Sequence, residues 1–458
     1  MLHQCTYNNR NFHLSPSSYQ NLESKNLFTI IVGKNGTGKS RLFQSIINDL
    51  NHIKNSSRGL KTNYPDNLVF SKEPTNIIAV SISPFDKFPL ENGFRKETKD
   101  YNYLGLRDLY SQNMGKSYMS KITFSLLKSL LEDKSKAFEF MNTLKYLGYK
   151  NFINLKFEFE PEWCSVVRHF HEKFGNDINI NMHELFQELL KNQRKRKMHR
   201  FFNETDDEIK KDENIRRALE IIFAMRQNQR LKLLNCFIDY TGLIFKTSEF
   251  VHEDNILFLL ESGILKLNDV ELQKNNSKIP ILISEASSGE QSVIMSILGI
   301  TSKIKHGSLI CIDEPEVCLH PEWQEKYITL IINAFSQYKD CHFLIATHSP
   351  LIVANLENDN CFILSMEDGS LINASNVNHR SVDFQLANIF KTPGFKNEYL
   401  SRELLSFLTL YSEGATISVD LKKSIKSIIR LKMALDENDP VLKLVNMSEE
   451  VLKENFHD

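Results

Sequence analysis

The chain has 458 residues, 41% of them hydrophobic and 25% charged, with a formal net charge of −1. That length accommodates two or three domains with a buried core, and the balanced charge excludes a general polycation: any nucleic-acid contact must come from a local patch or a partner. No apolar run reaches the about 18 residues of a membrane span, and the start Met1-Leu-His-Gln-Cys lacks a secretory pattern, so a cytoplasmic protein is expected. The seven cysteines, at 5, 164, 236, 311, 318, 341 and 361, form no Cys-x-x-Cys pair and read as reduced thiols, not metal ligands.

Residues 1–25 read as a hairpin leading into a sheet. Leu27–Val32 is an apolar run short enough for a strand buried on both faces. It runs directly into Gly33, Lys34, Asn35, Gly36, Thr37, Gly38, Lys39 and Ser40, and then into an amphipathic helix predicted from Arg41 to Asn51. Strand, G-x-x-x-x-G-K-S and helix in that order form a phosphate-binding loop. Its backbone N–H groups face a phosphate chain, Lys39 reaches the β- and γ-phosphates, and the Ser40 hydroxyl binds Mg²⁺. A second strand, Asn76–Ile82, ends at Ser83-Pro-Phe-Asp-Lys-Phe88. Asp86 could sense a γ-phosphate there, or serve as a turn residue.

From about 91 to 250 apolar residues fall at helical spacing, as at Met119, Ile122, Leu126 and Leu130 and again at Ile215, Leu219, Ile222 and Met225, which predicts an inserted helical arm or lobe. Within it lies Lys191-Asn-Gln-Arg-Lys-Arg-Lys-Met-His-Arg200, a run that could neutralise phosphates or be a solvated helix end. Residues 251–280 read as a β-rich return to the core.

The turn Ser287, Ser288, Gly289, Glu290 and Gln291 then opens a helix over 292–303, with Ser288 as N-cap and Gln291 completing a capping box. Such a small-residue helix start is also an anion site. Leu309–Ile312 is a second fully buried strand, and it delivers Asp313 and Glu314 to the carboxyl edge of the sheet, where open α/β folds bind ligands. A helix over 321–335 follows, and then a strand, Cys341–Thr347, that delivers His348 to the same edge. The remainder reads as a hairpin around Glu367-Asp-Gly369 and helices over 398–410 and 421–435. The boundaries drawn are 1–90 and 251–365 for the two parts of an ATPase core, 91–250 for the insertion and 366–458 for a mostly helical end.

In their order these motifs resemble ABC-type ATPases of the SMC, RecF and OLD group. The resemblance implies an α/β fold: an ABC-type P-loop head with a long helical insertion and a mixed α/β tail. It maps the nucleotide-binding segment to Gly33–Arg41, the metal site to Ser40 and Asp313, the catalytic base to Glu314 and the switch histidine to His348. It maps the signature to Ser287–Gln291, acting in trans on ATP held by a second subunit, and so implies a homodimer or higher even oligomer with ATP and Mg²⁺ as cofactors. Glu316, Leu319, His320 and Pro321 fit the E-P-E-x-x-L-H-P version, whose loop faces the partner subunit. No Gln ends the 76–82 strand where the group has its Q-loop, which leaves Ser83 or Asp86 as substitutes. The tail has no Asp-x-Asp pair, so the Toprim nuclease of OLD proteins is not expected. The Ser-Pro-Phe-Asp-Lys-Phe stretch and the 381–400 segment look like PtuA, the ATPase of Septu-type anti-phage systems, some of them carried by retrons. That likeness implies an HNH nuclease partner, PtuB, and nucleic acid (retron DNA or RNA, or target DNA) reached directly or through it. A DNA-repair ATPase that clamps DNA itself, and a nucleotide-holding scaffold without turnover, are the alternatives.

Overall fold

The apolar runs become strands of one seven-stranded sheet. Its order is Leu371–Asn373, Cys361–Ser365, Leu27–Val32, His342–Thr347, Leu309–Asp313, Ile77–Ser81 and Tyr101–Gly105. Every neighbouring pair is parallel except the hairpin of 361–365 with 371–373. The strands 27–32, 309–313 and 342–347 are buried at every position, as a parallel sheet covered on both faces requires. Burying each such Leu, Ile or Val stabilises the fold by about 1.5–3 kcal/mol. The computed structural model of the protein describes residues 1–16, 25–56, 67–90, 100–109, 114–160, 213–214, 216–218, 221, 233–245, 253–356, 360–378 and 380–455.

The register decides what meets what. Thr347 pairs with Val32, Asp313 with both Ala346 and Ser81, and Ser81 with Gly105. One edge therefore carries, side by side, the loop after Val32, His348 after Thr347, and Glu314 after Asp313. The strand ending at His348 lies between the phosphate-loop strand and the Asp-Glu strand.

The chain divides into two compact units, Met1–Arg107 with Lys305–Asp458, and Asp108–Ile304. The first unit holds the large sheet. It also holds a small antiparallel sheet ordered Arg10–His13, Leu2–Tyr7, Leu68–Phe70. The hairpin expected in residues 1–25 is its first two strands, turned by Asn8 and Asn9, both at positive φ. A separate core closes the carboxyl end, where Leu400, Leu404 and Phe407 pack with Ile425, Ile428, Val441 and Val445. Its helices are Glu398–Ser412, Val419–Ile429 and Pro440–Asn455. The helix predicted over 421–435 starts two residues earlier, behind the Ser418 cap, and stops at Ile429.

The second unit differs from the expected helical arm. It contains a five-stranded antiparallel sheet ordered Ile281–Leu282, Leu265–Leu272, Ile153–Phe159, Leu233–Asp239, Gly242–Phe245. Ile153-Asn-Leu-Lys-Phe-Glu-Phe159 alternates apolar and polar residues with period two, which is a strand facing a core on one side. Tyr101–Gly105, also placed in the insertion by the sequence, pairs instead with the large sheet. The 251–280 stretch is a helix, Glu253–Glu261, followed by the strand Leu265–Leu272, and it belongs to this second unit. The predicted stripe Met119, Ile122, Leu126 and Leu130 is buried on the helix Met114–Glu132. Of the second stripe, Ile215, Leu219, Ile222 and Met225 lie outside the described residues.

Cys5, Cys236, Cys311, Cys341 and Cys361 are buried free thiols and Cys318 is an exposed one; Cys164 lies outside the described residues. No described helix is long and apolar enough to cross a membrane.

Candidate active site

The phosphate loop is shaped by its glycines. A Cβ on Gly33 would stand 2.8 Å from Thr37 Oγ1, and Gly38, at φ +98°, lies against the ring of Tyr7. The helix begins at Lys39 and runs to Ser56, two residues earlier and longer than expected, so Lys39 and Ser40 form its first turn. There the unpaired N–H groups and the positive end of the helix dipole favour an anion. Lys34, Asn35, Gly36 and Arg41 are exposed, and Thr37 closes the turn through Oγ1 to Lys34 O at 2.9 Å.

Lys39 is buried, and its ammonium donates to Gly33 O at 2.8 Å and Lys34 O at 3.4 Å. Burial lowers its pKa, while the carboxylates of Glu314, Asp313, Glu316 and Glu367 oppose that shift. Its third contact is His348 Nδ1 at 3.4 Å. An ammonium only donates, so Nδ1 accepts and the imidazole proton sits on Nε2. Burial, and then the charge of Lys39, push the His348 pKa down to about 4, so the ring is neutral at physiological pH. Its Nε2 lies 3.7 Å from Glu314 Oε1.

Asp313 is buried at the end of its strand, and desolvation raises its pKa to about 7. Glu314 and Asp86 push the same way, whereas a hydrogen bond from Ser40 and the charge of Lys39 oppose it. Its Oδ1 is buried with no hydrogen-bond partner. A buried carboxylate oxygen without a donor, on a residue bonded to the Ser40 hydroxyl, fits a hard cation or its water shell. The residues present therefore suit Mg²⁺. Among the described residues no group of three or more His, Cys, Asp or Glu could hold a metal, so such an ion would take most of its oxygens from phosphate and water.

Glu314 adopts φ +49°, in the left-handed region, which costs a non-glycine residue about 1–2 kcal/mol. Its N–H still donates to Ala346 O at 2.9 Å. The chain thus leaves the sheet abruptly, with the Glu314 side chain at the edge, partly exposed and beside His348. Glu316, read in the sequence as part of a partner-facing motif, turns inward: its carboxylate accepts from Thr347 Oγ1 at 2.9 Å and from the backbone N–H of His348. His320 caps the helix Pro321–Ala334, and Leu319 is buried.

Asp86 takes the turn reading. Its carboxylate accepts from Phe88 N at 2.9 Å and Tyr103 OH at 2.6 Å, and the Arg107 guanidinium lies 3.8 Å away. Those bonds anchor the segment after the 77–81 strand. Ser83 is tied locally, accepting from Phe85 N at 3.3 Å.

The signature turn lies in the second unit. Ser287, not Ser288, is the N-cap: its Oγ accepts from Glu290 N at 3.3 Å, and the helix runs Ser288–Lys303. Glu290 is buried against Tyr149 OH and Lys274, the latter at 2.8 Å; the cap lies one residue, and the helix start four residues, earlier than expected. Gln291 reaches back to Ala286 O at 2.8 Å rather than closing a capping box. Ser287 and Ser288 are exposed, and Gly289 is buried. The basic run 191–200 lies outside the described residues.

Residues 126–354 match the family described as "AAA domain, putative AbiEii toxin, Type IV TA system", a segment that takes in the signature turn, Asp313, Glu314 and His348. The chain is similar to "Retron Ec83 probable ATPase" of Escherichia coli, 23% identical over 89% of this chain and 82% of that protein. It is also similar to "Retron Vc95 probable ATPase" of Vibrio cholerae serotype O1 biovar El Tor, 21% identical over 74% and 69% of the two chains. Among solved structures, the Smc head domain of Pyrococcus furiosus, bound to the C-terminal domain of ScpA, aligns with TM-score 0.30 and 14% identity over 82% of this chain and 97% of that one. Stu0660 of Streptococcus thermophilus aligns with TM-score 0.30 and 10% identity over 100% and 95%. With an α/β P-loop fold, a phosphate loop beside an Asp-Glu strand and half of its length matched, the chain belongs to this AAA-domain family.

Proposed function

We propose that the chain binds and hydrolyses ATP at the carboxyl edge of its large sheet, and that ATP joins two copies head to tail. The observation that carries the reading is the convergence there of Lys39, the Ser40–Asp313 pair with its unpartnered oxygen, Glu314 and a neutral His348. Lys39 exchanges its carbonyl contacts for the β- and γ-phosphates, whose charge compensates its desolvation. Glu314 accepts a proton as water attacks the γ-phosphorus and the bond to ADP breaks. His348, neutral, donates a hydrogen bond from its Nε2–H to a γ-phosphate oxygen and stays beside Glu314. Mg²⁺, held by Ser40 and Asp313, would neutralise charge on the phosphates.

The exposed Ser287 and Ser288 at a helix start suit a γ-phosphate presented by a second copy. Alternate occupancy would then switch the pair between open and closed forms. Two relatives carry retron-linked ATPase names, and the resemblance of the Ser83–Phe88 stretch and the 381–400 segment to PtuA is the ground for proposing a role in anti-phage defence of the Septu type. In that role the ATP-closed dimer restrains or releases a nuclease partner of the HNH class, which brings nucleic acid to the complex.

Complementation tests the composite site. Lys39→Ala and Ser288→Arg each spoil both sites of a homodimer and should be inactive alone. A heterodimer has one site with both defects and one with neither, so random pairing at equal amounts should restore roughly a quarter of wild-type activity. No recovery in mixtures shown to exchange subunits, together with loss of ATP binding by Ser288→Arg alone, would place the turn within its own subunit.

A further inference from the structure

The strand His342–Thr347 ends beside a neighbour, Leu309–Asp313, that has already turned away at Glu314. In a parallel ladder that begins with Glu314 N–H to Ala346 O, the next bond would run from His348 N–H to Glu314 O. The left-handed φ of Glu314 removes that acceptor: the carbonyl instead receives Val317 N at 3.2 Å. The Glu316 carboxylate takes its place, one oxygen on His348 N–H and the other on Thr347 Oγ1 at 2.9 Å. Thr347 Oγ1 in turn accepts Ser349 N at 3.0 Å, and Ser349 Oγ bonds Gln324 Oε1 at 2.6 Å. Gln324 reaches back to Leu319 O at 2.9 Å, in the loop that carries Glu316. The network closes on itself. It fixes the backbone from which the His348 ring reaches Lys39 and Glu314.

From this geometry we infer that Glu316 is a positioning residue: its carboxylate replaces the missing ladder acceptor and sets the His348 ring for hydrolysis without touching nucleotide. Both of its oxygens are occupied, so it is not a spare catalytic base. Burial raises its pKa above the usual carboxylate range, which agrees with a carboxylate turned into the fold.

The inference deepens the hydrolysis reading, so one arm of its test is kinetic and the other is not. Glu316→Ala should lower kcat about 100-fold, as expected when a reacting group is misplaced by an ångström, with KM for ATP within about twofold. Glu316→Gln keeps one acceptor for His348 N–H and should recover most of the loss. In a His348→Ala background, Glu316→Ala should cost no more than about twofold further, since both changes remove one device. Multiplying losses would overturn the inference.

The second arm follows the His348 ring by NMR of histidine-labelled full-length protein, with its signal identified by its disappearance in His348→Ala. The signal should move in Glu316→Ala and, less, in Glu316→Gln; an unmoved signal overturns the inference. If Glu316→Ala does not fold, Glu316→Gln supplies both readouts. If the wild-type protein hydrolyses nothing, the ATPase reading fails, and the ring signal still decides the role of Glu316.

Discussion

Glu314→Gln is expected to keep ATP bound and to lower kcat by about three orders of magnitude, within the range that a positioned general base supplies. The amide has the shape of the carboxylate but cannot take the proton of the attacking water. Its neighbours at the edge keep other anchors. The backbone of Glu314 is held by Ala346 O, and His348 is held by Glu316 and by its contact with Lys39. Phosphate release at steady state, with nucleotide retention through size-exclusion chromatography, separates the two effects. The variant should elute with ATP and as a more persistent dimer. Turnover at the wild-type rate would remove Glu314 from the chemistry.

Lys39→Ala should weaken ATP binding by two orders of magnitude or more, corresponding to the loss of about 3 kcal/mol of charge-assisted contacts. Its ammonium is buried beneath the loop and bonded to two loop carbonyls, so the substitution also leaves Gly33 O and Lys34 O without that donor. Lys39→Arg should not rescue, because a planar fork cannot enter a space shaped for a compact ammonium. Calorimetry with ATP and Mg²⁺ measures the loss. Unchanged affinity would mean that the triphosphate does not lie on this loop.

The strands and their cargo were legible because a strand covered on both faces is an unbroken apolar run. Leu27–Val32, Leu309–Asp313 and His342–Thr347 each run directly into a candidate site residue or end on one: Gly33, Asp313 and His348. Their order across the sheet was not legible, since pairing joins residues hundreds of positions apart: Val32 lies beside Thr347 and Ser365. Ile153–Phe159 was missed because its alternation sits among helical stripes, although the period of two is plain once sought. The helix Pro440–Asn455 also had a signal, Asp439 before Pro440, and Asp439 Oδ1 accepts Val441 N at 2.9 Å. The inward turn of Glu316 had none. It follows from the left-handed backbone of Glu314, which no residue type in E-P-E announces. Asp86 shows the opposite risk, a carboxylate at the right edge whose oxygens serve Tyr103 and Phe88.

The most direct test of the account is a single turnover. Wild-type protein in excess over γ-labelled ATP, with Mg²⁺ present, should convert the bound nucleotide to ADP and phosphate, and chelation of the metal should stop the conversion while protein remains folded. ATP recovered intact from protein that holds it, over many hours and at any protein concentration, would contradict hydrolysis at this edge and leave a nucleotide-bound scaffold.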